Sequence, residues 1–435
     1  MTVAQPSAGD TPLVHKPGRL SRRESRLAFG MTLPSVFMVM AIVLFPLLAT
    51  FWISVKPIEL ADLRAPEVRA REQVRGDATA AGDEIILRYK LRNSSRDKEV
   101  LSVRLSDVVP AGLTPSGLDA RCQLAVDRVL SCDLGDFEPG QSETLDIPVQ
   151  ASQGFIDNPV NAKDSDVSVS GSSVNPLLTM ELTLDNFRRV FAVREFGTVL
   201  WTTFVYTIGG TAGALILGLF AALLLNQSFA GRAVFRGFLL YPFVAPVIAA
   251  AFTWVVLLDP FSGSLNALLM QMGAVDAPIN FFGVRSVDVQ IFGLTVPVPM
   301  ALSVVIAFEA WRYFPLSFLF ILARMQSIPQ DMYEAADMDG ASPFQKFWAL
   351  SLPQLVGIMA VLFLLRFIWT FNKFDDIFLL TGGNAGTRTL TVQVYEQAFA
   401  LSNLGAGAAV AVLVFVLLAV FATIYFRAMP EEEGL

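Results

Sequence analysis

Six stretches long and apolar enough to cross a bilayer constrain this chain before anything else does. A spanning helix needs about 20 predominantly apolar residues. Such stretches run over residues 31–55, 197–225, 235–258, 296–322, 355–371 and 404–425. The fifth is the least clean, because Arg366 interrupts it. Only 16% of the residues are charged, against roughly 25% in soluble domains. The expected fold is therefore an α-helical polytopic membrane protein with six transmembrane helices. The first stretch follows Arg19, Arg22, Arg23 and Arg26. A cleaved signal peptide also starts basic, but its apolar core is only about 7–15 residues. This stretch continues past Pro46 to Trp52 and reads as a retained helix.

Orientation follows the excess of Lys and Arg in short cytoplasmic loops. The N-terminal tail is basic, and Arg232, Arg236, Arg324, Lys346 and Arg427 fall on the same side. The opposite loops, 259–297 and 381–403, offer Arg285 and Arg388. Both termini are expected in the cytoplasm. The segments are then a tail 1–29, a first helix 30–55, an extracytoplasmic insert 56–180, a helical core 181–427 and a tail 428–435. Residues 1–17 contain Pro, Ser and Gly and are expected to be disordered.

The insert has a β pattern. Ile85, Leu87, Tyr89 and Leu91 alternate with polar residues, as do Leu101, Val103 and Leu105. Further strands are expected near 122–126, 129–133, 144–149 and 167–169. Turn residues separate the runs at Asn93-Ser94-Ser95, Pro110-Ala111-Gly112 and Glu138-Pro139-Gly140. Short strands at this spacing predict a small sandwich. Outside the cytoplasm cysteines oxidise, so Cys122 and Cys132 are expected to form a disulfide, with two buried free thiols as the alternative. The pieces Asp107-Val108-Val109-Pro110-Ala111-Gly112-Leu113 and Ser131-Cys132-Asp133-Leu134-Gly135 resemble a bacterial surface repeat of immunoglobulin-like type.

The loop 329–353 carries the functional motif. Asp331 is placed to cap a short helix from Met332 to Met338, and Gly340 to end it in a left-handed conformation. Ser342 and Pro343 are expected to start a second short helix, 344–350, that stops at Pro353. Such an amphipathic pair cannot cross a membrane but can dock into a groove on a soluble partner. The run Glu334-Ala335-Ala336-Asp337-Met338-Asp339-Gly340-Ala341, followed by Phe344 and Leu352-Pro353, resembles the EAA loop of importer-type ABC permeases. By that resemblance Glu334, Ala335, Ala336, Asp339, Gly340 and Ala341 couple the chain to an ATP-hydrolysing subunit.

The resemblance continues in Asn186-Phe187, Leu225-Asn226, Tyr241-Pro242-Phe243-Val244-Ala245-Pro246, Phe371-Asn372-Lys373-Phe374-Asp375 and Leu379-Leu380-Thr381-Gly382-Gly383. These are similar to the carbohydrate-uptake, MalF-type branch, over residues 30–54 and 181–427. The resemblance implies a type I ABC importer permease of the bacterial inner membrane that moves a sugar, oligosaccharide or polyol inward. The implied partners are an ABC ATPase dimer, a second MalG-type permease subunit, an extracytoplasmic solute-binding protein and membrane lipid. Maltose-type permeases carry an extracytoplasmic domain where this insert lies.

Polar groups inside spans are costly and mark candidate pathways. Asn372, Asp375, Trp311, Tyr313, Arg312 and Phe243 offer hydrogen bonds and ring packing to a sugar. Set against this, Glu309 and Arg312 form an i,i+3 pair that can neutralise itself, and Arg366 can pair with Asp375, Asp376 or a partner subunit. Asn372 matches a polar position of the maltose-type site. Arg312-Tyr313-Phe314-Pro315-Leu316 departs from the Leu-Gly-Tyr-Pro-Tyr found there, so maltose-like reading is not expected.

Other functions are less well served. His15 is the single His, which disfavours a His-based metal site or a Ser-His triad. The net charge of −7 gives no reason to expect nucleic acid. Gly382-Gly383-Asn384-Ala385-Gly386-Thr387-Arg388-Thr389 lacks the Gly-Lys-Ser/Thr ending of a phosphate loop. The chain is thus not expected to be an enzyme or to hold a cofactor, ATP and Mg being left to the partner ATPase. A secondary transporter or channel with an extracytoplasmic binding domain is the main alternative; it has no use for the 329–353 motif.

Overall fold

Long helices occupy all six apolar stretches, and one of them is broken. In the computed structural model these are α1 (Leu27–Ser54), α2 (Phe196–Asn226), α3 (Arg232–Val244 with Val247–Leu257), α4 (Met300–Gln326), α5 (Pro343–Phe371) and α6 (Leu404–Ala428). The structure describes residues 19–63, 66–95, 98–158, 167–174, 178–291 and 294–429. The expected disordered stretch 1–17 and the end of the C-terminal tail, 430–435, lie outside them.

Prolines explain the irregularities. The two pieces of α3 meet at 94°. Pro246 lacks an N–H and pushes Ala245 out of the helical region, to φ −60°, ψ 139°. The third expected span, 235–258, is therefore a bent one. Pro46 and Pro353 are accommodated differently. One residue before each, the helix widens: Phe45 N–H reaches back to Met40 and Leu352 N–H to Phe347. A π-turn of this kind frees the carbonyl that the proline ring would crowd. The helix from Ser342 therefore does not stop at Pro353 but continues as α5 to Phe371. Pro315 lies inside an α4 that is helical throughout. The fourth span starts at Met300, later than expected, because Leu294–Val298 pairs as a strand with Val287–Ile291.

The chain divides into two units after Trp52. In the first, α1 shows apolar side chains to its surroundings on every side, among them Met31, Phe37, Ile42 and Phe45. A helix apolar all round requires an apolar solvent or partner. In the second unit, the insert enters and leaves at one point. Thr183 N–H donates to Val55 O at 2.8 Å, and Asn186 Nδ2 donates to Ser54 O at 2.9 Å and Lys56 O at 2.7 Å. Gly405 N–H, at the start of α6, donates to Ile58 O at 2.9 Å.

The insert is two four-stranded antiparallel sheets. With strands β1 (Val68–Arg75), β2 (Glu84–Asn93), β3 (Val100–Val108), β4 (Leu113–Pro115), β5 (Cys122–Leu124), β6 (Val129–Phe137), β7 (Ser142–Ala151) and β8 (Ser168–Ser172), the orders are β1-β2-β7-β4 and β5-β6-β3-β8. Alternation in β2 buries Ile85, Leu87, Tyr89 and Leu91 in a core shared with Leu105, Leu130 and Phe137 of the other sheet. Burial pushes the Tyr89 hydroxyl far above the usual phenol range, helped by its hydrogen bond to Asp107 at 2.5 Å. Strands β1 and β4 were not expected: β1 mixes four charged residues into its eight, and β4 has three residues.

Cys122 and Cys132 face each other across the β5–β6 ladder and form a disulfide, not two free thiols. It closes a loop of sequence separation 10. Chain-entropy reasoning makes such a link worth about 2.5–3 kcal/mol. Reducing it, or Cys132→Ser, is expected to lower the free energy of unfolding of the insert, read from its chemical denaturation curve, by that amount. A change below about 0.5 kcal/mol would show that the reduced hairpin is held by packing alone.

Candidate functional site

Two places carry the candidate residues. The first is the loop between α4 and α5. A helix, Gln330–Met338, has Pro329 at its N-cap position, with Asp331 in its first turn and not acting as the cap. It ends as the motif requires. Gly340 has φ +74°; its N–H donates to Asp337 O at 3.0 Å, and Ala341 N–H donates to Ala336 O at 2.9 Å. These two bonds are a Schellman closure, which favours glycine at the left-handed position. Ser342 and Gln345 then form a capping box: Ser342 Oγ accepts from Gln345 N–H and Gln345 Oε1 accepts from Ser342 N–H, at 3.3 and 2.8 Å. Lys346 Nζ donates to Asp337 Oδ1 at 2.6 Å, and Tyr333 OH lies 2.9 Å from Ser351 Oγ, so the helix is pinned back on α5. Glu334, Ala335, Asp339 and Gly340 are exposed, and Ala336 and Ala341 are half-buried. Met338, Phe344 and Trp348 are exposed beside them. An ordered apolar surface with acidic groups at its margin suits a protein partner.

The second place lies inside the helical core. Helix α2 runs parallel to α4 at very close range: a Cβ on Gly210 would fall 2.6 Å from Glu309 Cγ, and one on Gly218 would fall 2.6 Å from Ser317 Cβ. That closeness is what delivers Tyr206 of α2 to Glu309 of α4. Glu309 is fully buried, and so is Arg366 of α5. Arg366 Nη2 donates to Glu309 Oε1 at 2.5 Å, Thr370 Oγ1 to the same oxygen at 2.9 Å, and Tyr206 OH to Oε2 at 3.1 Å. Three helices thus satisfy one carboxylate, as a buried charge demands.

This corrects both pairings considered from the sequence. Glu309 bonds Arg366 and not Arg312, while Asp375 and Asp376 face Lys373 at 3.4 and 3.8 Å and not Arg366. Arg312 is 8% exposed, and its Nε and Nη1 have no hydrogen-bond partner among the described residues. The Tyr313 ring sits among three cations, with Arg366 Cζ at 4.2 Å, Lys373 Nζ at 4.8 Å and Arg312 Cζ at 5.5 Å from its centroid. Phe243 meets it edge-on at 6.1 Å.

The structure therefore gathers Arg312, Tyr313 and Phe243, and links Asp375 to them through Lys373. Trp311 turns to Trp254, 5.5 Å away, in a separate aromatic cluster with Phe308. Asn372 is exposed and its Nδ2 donates to Ile368 O at 2.9 Å, so it finishes α5. Tyr206 was missed. Its signal was available: Thr203, Thr207, Gly210, Thr211, Ala214 and Gly218 form a small and polar stripe at helical spacing, which marks close helix contact. Among the described residues no cluster of His, Cys, Asp and Glu suits a metal.

The family described as "Binding-protein-dependent transport system inner membrane component" matches residues 214–429, which hold α3 to α6 and the α4–α5 loop. The trehalose/maltose transport system permease protein MalF of Thermococcus litoralis is 34% identical over 245 residues, 56% of this chain and 78% of that protein. The inner membrane ABC transporter permease protein YcjO of Escherichia coli is 33% identical over 237 residues, 54% of this chain and 75% of that protein. Among solved structures, a chain of a bacterial ABC transporter involved in the import of the acidic polysaccharide alginate aligns with a TM-score of 0.49 and 19% identity, over 57% of this chain and 85% of that one. With relatives of this identity covered over three quarters of their length, and with the spans and the α4–α5 loop in place, the chain belongs to the binding-protein-dependent transport system inner membrane components, the multi-pass permeases of ABC transporters.

Proposed function

We propose that this chain imports a carbohydrate, as one of two permease subunits driven by a separate ABC ATPase. The observation that carries the coupling is the Glu334-to-Ala341 helix end. It is rigidly closed at Gly340, braced on α5 and exposed where a partner would seat. Docked in a cleft of the ATPase, which would bind the ATP and Mg, this helix would pass the closure of the nucleotide-binding dimer to α4 and α5. In this reading both termini and the α4–α5 loop are cytoplasmic. The β insert is extracytoplasmic and immunoglobulin-like, and it contacts the solute-binding protein.

Support for a sugar comes from the trehalose- and maltose-transporting relative and from the chemistry around Tyr313. Arg312, Lys373, Tyr313 and Phe243 combine fixed donors with aromatic faces, which is what hydroxyls and sugar rings need. In alternating access, the break in α3 next to Phe243 and the Glu309–Arg366 link between α4 and α5 would move with the two halves of the pathway.

Co-expression with the neighbouring genes, purification by a tag on this chain and assay of ATP hydrolysis with sugar-loaded binding proteins tests the reading. The expected result is a co-purifying ATPase whose rate rises severalfold with one loaded binding protein. Solute movement by the isolated chain with no ATPase would overturn it in favour of a secondary transporter or channel.

A further inference from the structure

A second polar pocket lies away from Tyr313, at the end of the helices opposite the α4–α5 loop. Because α2 and α4 run parallel, the N-terminus of α2 is at the far end from the loop that follows α4. There Glu195, Thr198 and Thr202, at the start of α2, meet Arg285 and the segment carrying Asn384 and Arg388 around a cavity of about 220 Å³. Drug-sized sites run to about 300–1,000 Å³ and are mostly apolar. This one is smaller, and hydroxyl, amide, carboxylate and guanidinium groups dominate its lining.

The pocket is built in advance. The glycine-rich segment that carries it turns through four left-handed positions, Gly382, Gly383, Ala385 and Gly386, with φ between +51° and +81°. Thr387 Oγ1 donates to Asn384 O at 2.7 Å and lies 2.6 Å from Thr381 Oγ1, and Leu390 N–H donates to Thr203 Oγ1 at 3.0 Å, which ties the segment to α2. Gly383 cannot carry a side chain, since its Cβ would meet Val392 Cγ1 at 2.7 Å. Gly386 is the seat of Arg285, whose Cγ would be 3.0 Å from a Cβ there. Arg388 is held between Glu195 and Glu396, at 3.7 and 3.2 Å. Arg285 has no carboxylate within ion-pair distance among the described residues. The Arg388 guanidinium braced by Glu396, the Glu195 carboxylate beside it, a second guanidinium and two threonine hydroxyls suit adjacent hydroxyls, because planar charged groups bind such donors and acceptors two at a time.

We propose that this pocket is an entry subsite that takes one sugar ring of the solute before it passes into the membrane. The proposal rests on the carbohydrate-import reading and on its orientation, which put the pocket on the side from which solute arrives.

The test uses the complete transporter in nanodiscs. Cys122 and Cys132 are bonded to each other, so Thr198→Cys places one reactive thiol of this chain at the exposed rim. Its labelling by a membrane-impermeant maleimide is timed with and without millimolar glucose, maltose or trehalose, and uptake of the same sugars is measured in proteoliposomes. Phe261→Cys, fully exposed on the loop after α3, is the control position. A transported sugar is expected to slow labelling at position 198 at least threefold and leave position 261 unchanged, and added Arg285→Ala is expected to remove the protection. A sugar that is taken up but gives no protection overturns the subsite and leaves the import reading intact. Protection by the binding protein alone, loaded or empty, overturns it in favour of a protein-docking face. Failure of a broad panel of saccharides to be taken up overturns the import reading, and the subsite with it.

Discussion

Arg366→Ala is expected to destabilise the helical core by about 3–5 kcal/mol, because removing one partner of a buried ion pair strands the other charge. Glu309 would keep the hydroxyls of Thr370 and Tyr206 beside the Asp376 carboxyl but lose its bonded cation, and it has no route to solvent at 0% exposure. Glu309→Ala should cost less in electrostatics but leaves Arg366 buried, so both single variants are expected to fall well below the parent. The double variant Glu309→Gln with Arg366→Met removes both charges at nearly constant volume and is expected to recover most of the loss. Thermal unfolding of the purified permease in lipid nanodiscs, arranged as a double-mutant cycle, measures the coupling. Single variants within about 0.5 kcal/mol of the parent would mean that water or lipid solvates Glu309 after all.

Gly340→Val is expected to reduce solute-stimulated ATP hydrolysis about tenfold while leaving the spans folded. A β-branched residue at φ +74° pays roughly 1–2 kcal/mol for the left-handed conformation, and each 1.4 kcal/mol is about a factor of ten. The strain is relieved by opening the Schellman bonds from Gly340 and Ala341, which turns the exposed face of the Gln330–Met338 helix away from the proposed ATPase. Deleting residues 334–341 should abolish co-purification of the ATPase altogether. Lys346→Ala makes a contrasting control. It removes the bridge to Asp337, whose carboxylate is 61% exposed, and bridges of that kind are worth about 0–1 kcal/mol. Hydrolysis in the reconstituted complex separates the cases. A Gly340→Val transporter with normal coupling would show that the helix end is not a rigid part of the docking surface.

Much of this was legible in the residues because it depends on local rules. Twenty apolar residues in a row leave few options besides a span. Alternation in Ile85 to Leu91 dictates a strand with one buried face, and Gly340 after a short amphipathic run dictates a left-handed stop. Cys122 and Cys132 needed the expected compartment as well as their spacing, and their partnership followed once both strands were placed. What failed were inferences that stopped a helix by a local signal. Pro353 predicts an end by local rules, yet a π-turn from Phe347 to Ser351 absorbs it, since a helix with tertiary support can widen by one residue more cheaply than it can stop. The same device serves Pro46, while Pro246, with no such turn before it, breaks α3.

The amino-acid sequence by itself determined the class of solvent the chain lives in, the order of its spans, the β insert and the short exposed helix between α4 and α5, because hydrophobic length, strand period and turn residues act over a few neighbours. Only the tertiary structure decided which charges face each other. Glu309 is 57 residues from Arg366 and 103 from Tyr206, and nearness along the chain had favoured Arg312 three residues away. The choice was made by Gly210, whose missing side chain lets α2 and α4 approach closely enough to seat Tyr206 on the carboxylate. Burial then required that every oxygen of Glu309 find a donor, and only the packing of three helices supplies them.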